Sequence, residues 1–97
     1  MNNFVYYGLL FDIYKDLLNE STKNIFSLYY EENLTLQEIA DILHVSKSYV
    51  GNVVKKTEKK LDEYENILMI YKTKEGLNNI LKINDIEKIK KEIKKII

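Results

Sequence analysis

Apolar residues recur along this chain at steps of three and four, the spacing of one helix face. No stretch alternates at the step of two that a half-buried strand needs. Phe4, Tyr7, Leu10, Phe11, Tyr14, Leu17 and Leu18 make the first stripe, with Asp12, Lys15 and Asp16 on the wet side, and predict a helix over 3–18. Asn19 suits the N-cap of a second helix and Glu20 its positive end. That helix, over 20–31, buries Ile25, Leu28 and Tyr29, broadened by Phe26 and Tyr30, and closes in the polar turn Glu31-Glu32-Asn33. Leu34 then stands where a hydrophobic staple would reach Ile39.

The rest of the pattern is arranged around residues 35–57, TLQEIADILHVSKSYVGNVVKKT. Thr35 and Glu38 have capping-box spacing ahead of an apolar run in which Leu36, Ile39, Ala40 and Leu43 share a face. Leu43-His44-Val45 reads as a tight turn, with Val45 expected to plug it from below, and Ser46 as the N-cap of the next helix. Val50, Val53 and Val54 fall on the inner side of that helix, opposite the small Ala40. Two short helices joined by such a turn form a helix-turn-helix, whose second helix presents its N-terminal side chains to a nucleic-acid groove.

Nothing in 55–72 stops this second helix, so it is expected to run on, carrying a seam of Leu61, Tyr64, Leu68 and Tyr71 flanked by Ile67. The seam can close over the first two helices or pair with a second copy, and a homodimer is the expectation. Gly76 with Asn78-Asn79 marks the first expected interruption. A last helix from Asp85 sets Ile86, Ile89, Ile93, Ile96 and Ile97 against Lys88, Lys90, Lys91, Lys94 and Lys95. It must pack on another helix, of this chain or of a second copy. The division expected is 1–72 as the helix-turn-helix domain and 73–97 as a Lys/Ile amphipathic segment.

Composition narrows the classes. A chain of 97 residues, 45% hydrophobic, builds one domain with a modest core. It has no Cys, which removes disulfides and thiolate metal sites, and no Pro and three Gly, which favours helices. No apolar run approaches the roughly 20 residues that span a bilayer. The opening MNNFVYYGLLFDIY lacks a basic leader, so no signal peptide, no membrane insertion and a cytoplasmic location are expected. Net charge is zero but uneven: residues 1–54 hold three Lys against seven acids, residues 55–97 twelve Lys against eight. All fifteen basic residues are Lys, so the bidentate Arg fork that reads guanine is absent.

Candidate chemistry is correspondingly sparse. One His, no Cys and no Gly-rich phosphate loop argue against an enzyme, and neither catalytic residues, a cofactor nor a metal is expected. His44 reads as a turn residue tolerant of left-handed backbone. The pairs Glu31/Glu32 and Asp62/Glu63 read as solvated charges. The nucleic-acid candidates are Ser46, Lys47, Ser48, Tyr49 and Asn52 at the start of the second helix, followed by Lys55, Lys56 and Lys59 along it. Asn can pair with adenine, Tyr can stack, and a lysine stripe is the electrostatic footprint of a phosphate backbone. The same lysines are also what the solvated face of any helix looks like.

The segments YYGLLFDIYKDLL, FSLYYEENLTLQEIADILHVS and VKKTEKKLDEYE resemble the YlxM family, small bacterial helix-turn-helix proteins similar to region four of sigma factors. The resemblance covers most of 5–72. It implies an all-α fold of the sigma region four type with a long C-terminal helical extension. It also implies a nucleic-acid-binding regulatory role linked to the signal recognition particle, whose GTPase gene neighbours those of family members. The partners it implies are DNA or the particle's RNA, and the particle's GTPase. Thr35, Glu38, Ala40, Val45, Ser46 and Val50 match structural positions of the family motif, Lys47 a commonly basic one, and Lys55, Lys56, Thr57 and Glu58 the exit of the reader helix. Tyr49 stands where a small residue is usual and Gly51 where a larger one is common. Two readings remain open: a nucleic-acid-binding regulator, and an adaptor that uses the motif as a scaffold to bind the particle's GTPase.

Overall fold

The structure, a computed structural model, describes residues 3–97. Helix α1 (Asn3–Tyr14) ends in a 3-10 turn over Lys15–Leu17 and is followed by α2 (Glu20–Tyr30), α3 (Leu36–Leu43), α4 (Lys47–Leu68), α5 (Ile70–Ile80) and α6 (Ile86–Ile96). This is the expected all-α, helix-turn-helix fold with a long helical extension. Among the described residues no helix is long and apolar enough to cross a membrane.

The local starts and stops follow the sequence signals. The Asn19 side chain accepts the Thr22 amide at 2.8 Å and starts α2. Thr35 and Glu38 form both halves of the capping box, at 3.1 and 3.0 Å. His44 ends α3 in the left-handed conformation, φ 58° and ψ 44°. Ser46 accepts the Tyr49 amide at 3.0 Å and opens α4.

Helix α4 is the axle, against which α1, α2 and α3 all pack. Its Val50, Val54 and Leu61 meet Leu10, Phe11, Tyr14, Leu18, Ile25, Phe26, Ile39 and Ala40 in one core. The Phe11 and Phe26 rings sit 5.0 Å apart. Residues 70–97 contribute almost nothing to that core, and Ile80 is their one buried side chain among the described residues. The molecule is therefore long, 58 × 22 × 17 Å, with a radius of gyration of 17.2 Å. A compact chain of this length would have about 13 Å.

Several expectations fail, each for a local reason. The helix from Lys47 does not run through 72. It breaks at Met69, which is left-handed at φ 52°, ψ 31°. Ile67 and Leu68 are consequently exposed, and Tyr71 belongs to α5 rather than to a seam continuous with Leu61 and Tyr64. Gly76 and Asn78-Asn79 lie inside α5 and interrupt nothing. Gly76 instead lets α6 come close: a Cβ there would stand 2.9 Å from Ile96 Cδ1. The first helix stops at Tyr14, and the 3-10 turn that follows swings Leu17 into solvent while keeping Leu18 buried. Val45 is exposed too and does not plug the turn.

Candidate nucleic-acid interface

Every residue assigned to the reader surface from sequence is exposed: Ser46, Lys47, Ser48, Tyr49, Asn52, Lys55, Lys56 and Lys59. They do not form a single cluster. Lys47, Ser48, Asn52 and Lys55 line one open groove, with Gly51 and Leu36 as its floor against α3. Lys56 lines a separate groove with Lys60, Thr22, Val53 and Thr57, on the side of α2. Tyr49, seven residues before Lys56, shares that flank by helical register. Lys59 lies one turn beyond Lys55 on the outward face. Lys47 also edges a third hollow, with Phe4, Tyr29, Asn33, Leu34, Thr35, Leu36 and Gln37.

Gly51 resolves simply. A Cβ there would meet Leu36 Cδ1 at 3.7 Å, ordinary contact, so the glycine relieves no clash with α3.

Three carboxylates on α4 change the electrostatics of this face. Glu58, Asp62 and Glu65 recur at four- and three-residue steps, and each accepts a hydrogen bond from a tyrosine of the packed helices. Tyr30 of α2 donates to Glu58. Tyr7 of α1 donates to Asp62 at 2.7 Å, and Tyr14 of α1 to Glu65 at 2.6 Å. Glu58 and Asp62 are half-buried and Glu65 is buried. Asp62 is thus not the freely solvated charge expected of it.

The tyrosines register the same contacts. The hydrogen bond to Asp62, with burial and neighbouring carboxylates, pushes the Tyr7 phenol up to about 12. Burial, then the hydrogen bond to Glu58, raises Tyr30 further. Burial and the Glu65 bond raise Tyr14, partly offset by the Ile70 amide that donates to its hydroxyl.

The lysines of this helix stand beside these carboxylates. On a helix, Lys55 with Glu58 and Lys59 with Asp62 are three apart and positioned to pair. They do not. Among the described residues the ion pairs are Lys23 with Asp16 and Glu20, and Lys95 with Glu92. Lys47, Lys55, Lys56, Lys59 and Lys60 therefore point unpaired into solvent. Sequence reasoning missed this ladder, although its signal is present: eight tyrosines, five of them in α1 and α2, which pack on α4, and acids at 58, 62 and 65 on one α4 face.

Comparison with known proteins agrees with this architecture. Residues 1–97 match the family UPF0122, described as "Putative helix-turn-helix protein, YlxM / p13 like". A UPF0122 protein of Bacillus licheniformis is 43% identical over 63 residues, covering 65% of this chain and 59% of the relative. One of Bacillus pumilus is 40% identical over 73 residues, 75% of this chain and 66% of the relative. These two matches thus span less than two thirds of the relatives' own length. One of Bacillus thuringiensis is 33% identical over 93 residues, 91% of this chain and 84% of the relative. The chain belongs to the UPF0122 family of YlxM-like helix-turn-helix proteins.

Proposed function

We propose that this chain is a non-enzymatic, nucleic-acid-binding regulatory protein that contacts DNA or RNA with α4. The observation that carries the reading is the unpaired lysine set on a helix whose nearby carboxylates are held by tyrosines. Ser48, Asn52 and Tyr49 supply base-edge hydrogen bonds and stacking, and Ser46 and Lys47 sit at the entry of the helix. Lys55, Lys56 and Lys59 follow a phosphate backbone. The link to the signal recognition particle pathway, with the particle's RNA as target and its GTPase as a protein partner, rests on the family resemblance alone.

The test is fluorescence anisotropy on labelled duplex DNA and hairpin RNA across a salt series. Five unpaired lysines imply a log-log salt slope of about −4 to −5 on duplex DNA, at about −0.9 per phosphate contact. Lys55→Glu with Lys59→Glu should abolish binding to both probes. Unchanged binding by that variant refutes the reading and favours the adaptor alternative, in which α3 and α4 are only a scaffold.

A further inference from the structure

The α5–α6 hairpin exposes an apolar plate. In α5, Thr73, Gly76 and Ile80 recur on the side that is covered, and α6 covers it. In α6, Ile89, Glu92 and Ile96 play the same part. One step round each helix, in the same rotational sense, lie Ile70, Leu77 and Leu81, and Ile86, Ile93 and Ile97. All six are exposed, from 39% at Ile93 to 95% at Ile97. Flanks of the same sense on two antiparallel helices lie on one side of the pair, so these six share a face. None of them is charged, and Lys74 and Lys90 border the face by register.

We propose that this plate is the interface between two copies of the chain, joined face to face about a two-fold axis. Three observations select a second copy as the occupant. The first is need. Helices of 11 residues are marginal alone in water, and this pair buries a single side chain, so it requires a cover that is always present. A chain carries that cover with it only as its own second copy.

The second is area. Two helices of 11 residues present a footprint about 16 Å long and 20 Å wide. Counted over both corrugated surfaces, this buries on the order of 1,000 Å², the size at which specific interfaces begin.

The third is charge. Residues 70–97 hold eight Lys and four acids, net +4, and residues 1–69 hold seven Lys and eleven acids, net −4. A two-fold axis across the plate runs the hairpins antiparallel. The Lys-rich hairpin of each copy, with most of its lysines along α6, is then brought against the acidic body of the other, and the two halves of the chain complement one another across the contact. This assignment is independent of nucleic-acid binding by α4.

Light scattering coupled to size exclusion, on the full chain, tests it. The wild type should give twice the 11.5 kDa chain mass, and its melting temperature should rise with protein concentration. Leu81→Glu with Ile86→Glu, at positions 83% and 68% exposed, leaves a monomer's own packing intact and should weaken association by about tenfold or more. Ile67→Glu is a control, 78% exposed but outside the plate, and should leave the dimer unchanged. Circular dichroism establishes that each variant retains its helices. A monomeric wild type overturns the proposal, as does a dimer that survives the Leu81/Ile86 change or is lost on Ile67→Glu. A monomer that floats with vesicles of anionic phosphatidylglycerol also overturns it and makes the plate a lipid-facing surface.

Discussion

The Tyr14 hydroxyl donates to the Glu65 carboxylate at 2.6 Å, and together the two groups receive the first three amides of α5. Ile70 donates to the Tyr14 oxygen at 3.2 Å, Tyr71 to Glu65 Oε1 at 3.1 Å and Lys72 to Oε2 at 3.0 Å. Met69 supplies no side-chain cap, so the opening of α5 is built from the last turn of α4 and the end of α1. The break that separates α4 from α5 is fixed by this pair. Glu65→Ala takes the acceptor from a buried phenol and from two amides, and should cost about 1–3 kcal/mol. Hydrogen exchange locates the loss: the Tyr71 and Lys72 amides should lose protection while Val54 and Leu61 in the core keep theirs. Tyr14→Phe should cost less, about 1 kcal/mol, because Glu65 still accepts its two amides. Unchanged protection at Tyr71 in Glu65→Ala would rule out the capping role.

The same tyrosines tie stability to alkaline pH. The folded protein holds the Tyr7, Tyr14 and Tyr30 phenol protons more tightly than the unfolded chain, whose tyrosines titrate near 10. The contribution is therefore fully present below pH about 10 and is lost as pH rises through the folded values, about 12 for Tyr7. Ultraviolet titration of tyrosinate should show a late, cooperative group of phenols that ionise as helicity disappears. Tyr7→Phe and Tyr30→Phe should flatten the fall in stability between pH 10 and 12. An equally steep fall in the double variant would place its origin elsewhere.

A third consequence joins the core to the reader face. Once Tyr7 and Tyr30 lose their hydroxyls, Asp62 and Glu58 are free to turn toward Lys59 and Lys55. Pairing of those lysines would withdraw up to two phosphate contacts. The double phenylalanine variant should therefore bind duplex DNA more weakly, with a salt slope shallower by about 1 to 2. None of the substituted atoms lies on the α4 surface, so a reduced slope at unchanged helicity would isolate the effect. An unchanged slope would mean that the carboxylates stay where they are, or that these lysines meet no phosphate.

How legible this was in the sequence depends on the range of the interaction. The caps at Asn19, Thr35 and Ser46 and the left-handed His44 were readable because each is settled within four residues by a side chain and a backbone group. The buried α3–α4 contact through Ile39, Ala40, Val50 and Val54 was readable because both faces keep helical spacing. The break at Met69 was not. Nothing local there disfavours a helix; the stop comes from Tyr14, 51 residues before the Glu65 it bonds. For the same reason Asp62 looked solvated: its partner Tyr7 stands 55 residues away. Gly76 misled in the opposite direction, since a residue suited to breaking a helix serves instead as the place where α6 lies close. The reader residues were placed correctly as exposed, yet their division between two grooves depends on α2 and α3 flanking α4 on different sides, which no local pattern records.

Gly51 offers a last test, because its two effects separate. It sits in the second turn of α4 in helical backbone, with no positive φ, so no conformation there demands glycine. A methyl group added to it would touch Leu36 at ordinary contact distance. Gly51→Ala should therefore stabilise the protein by about 0.5–1 kcal/mol, through helix propensity and a less flexible unfolded chain. For a domain of this size that is a rise in melting temperature of roughly 2–8 °C. The new methyl points toward Leu36 of α3, away from the outward lysines Lys56 and Lys59. Nucleic-acid affinity should stay within about twofold of wild type if those outward residues make the contacts. Gly51 does, however, floor the groove between Lys47, Ser48, Asn52 and Lys55. A variant that melts higher yet binds distinctly more weakly would show a backbone or base seated in that groove. Contact would then centre on the α3–α4 cleft, and the outward face of α4 would be secondary.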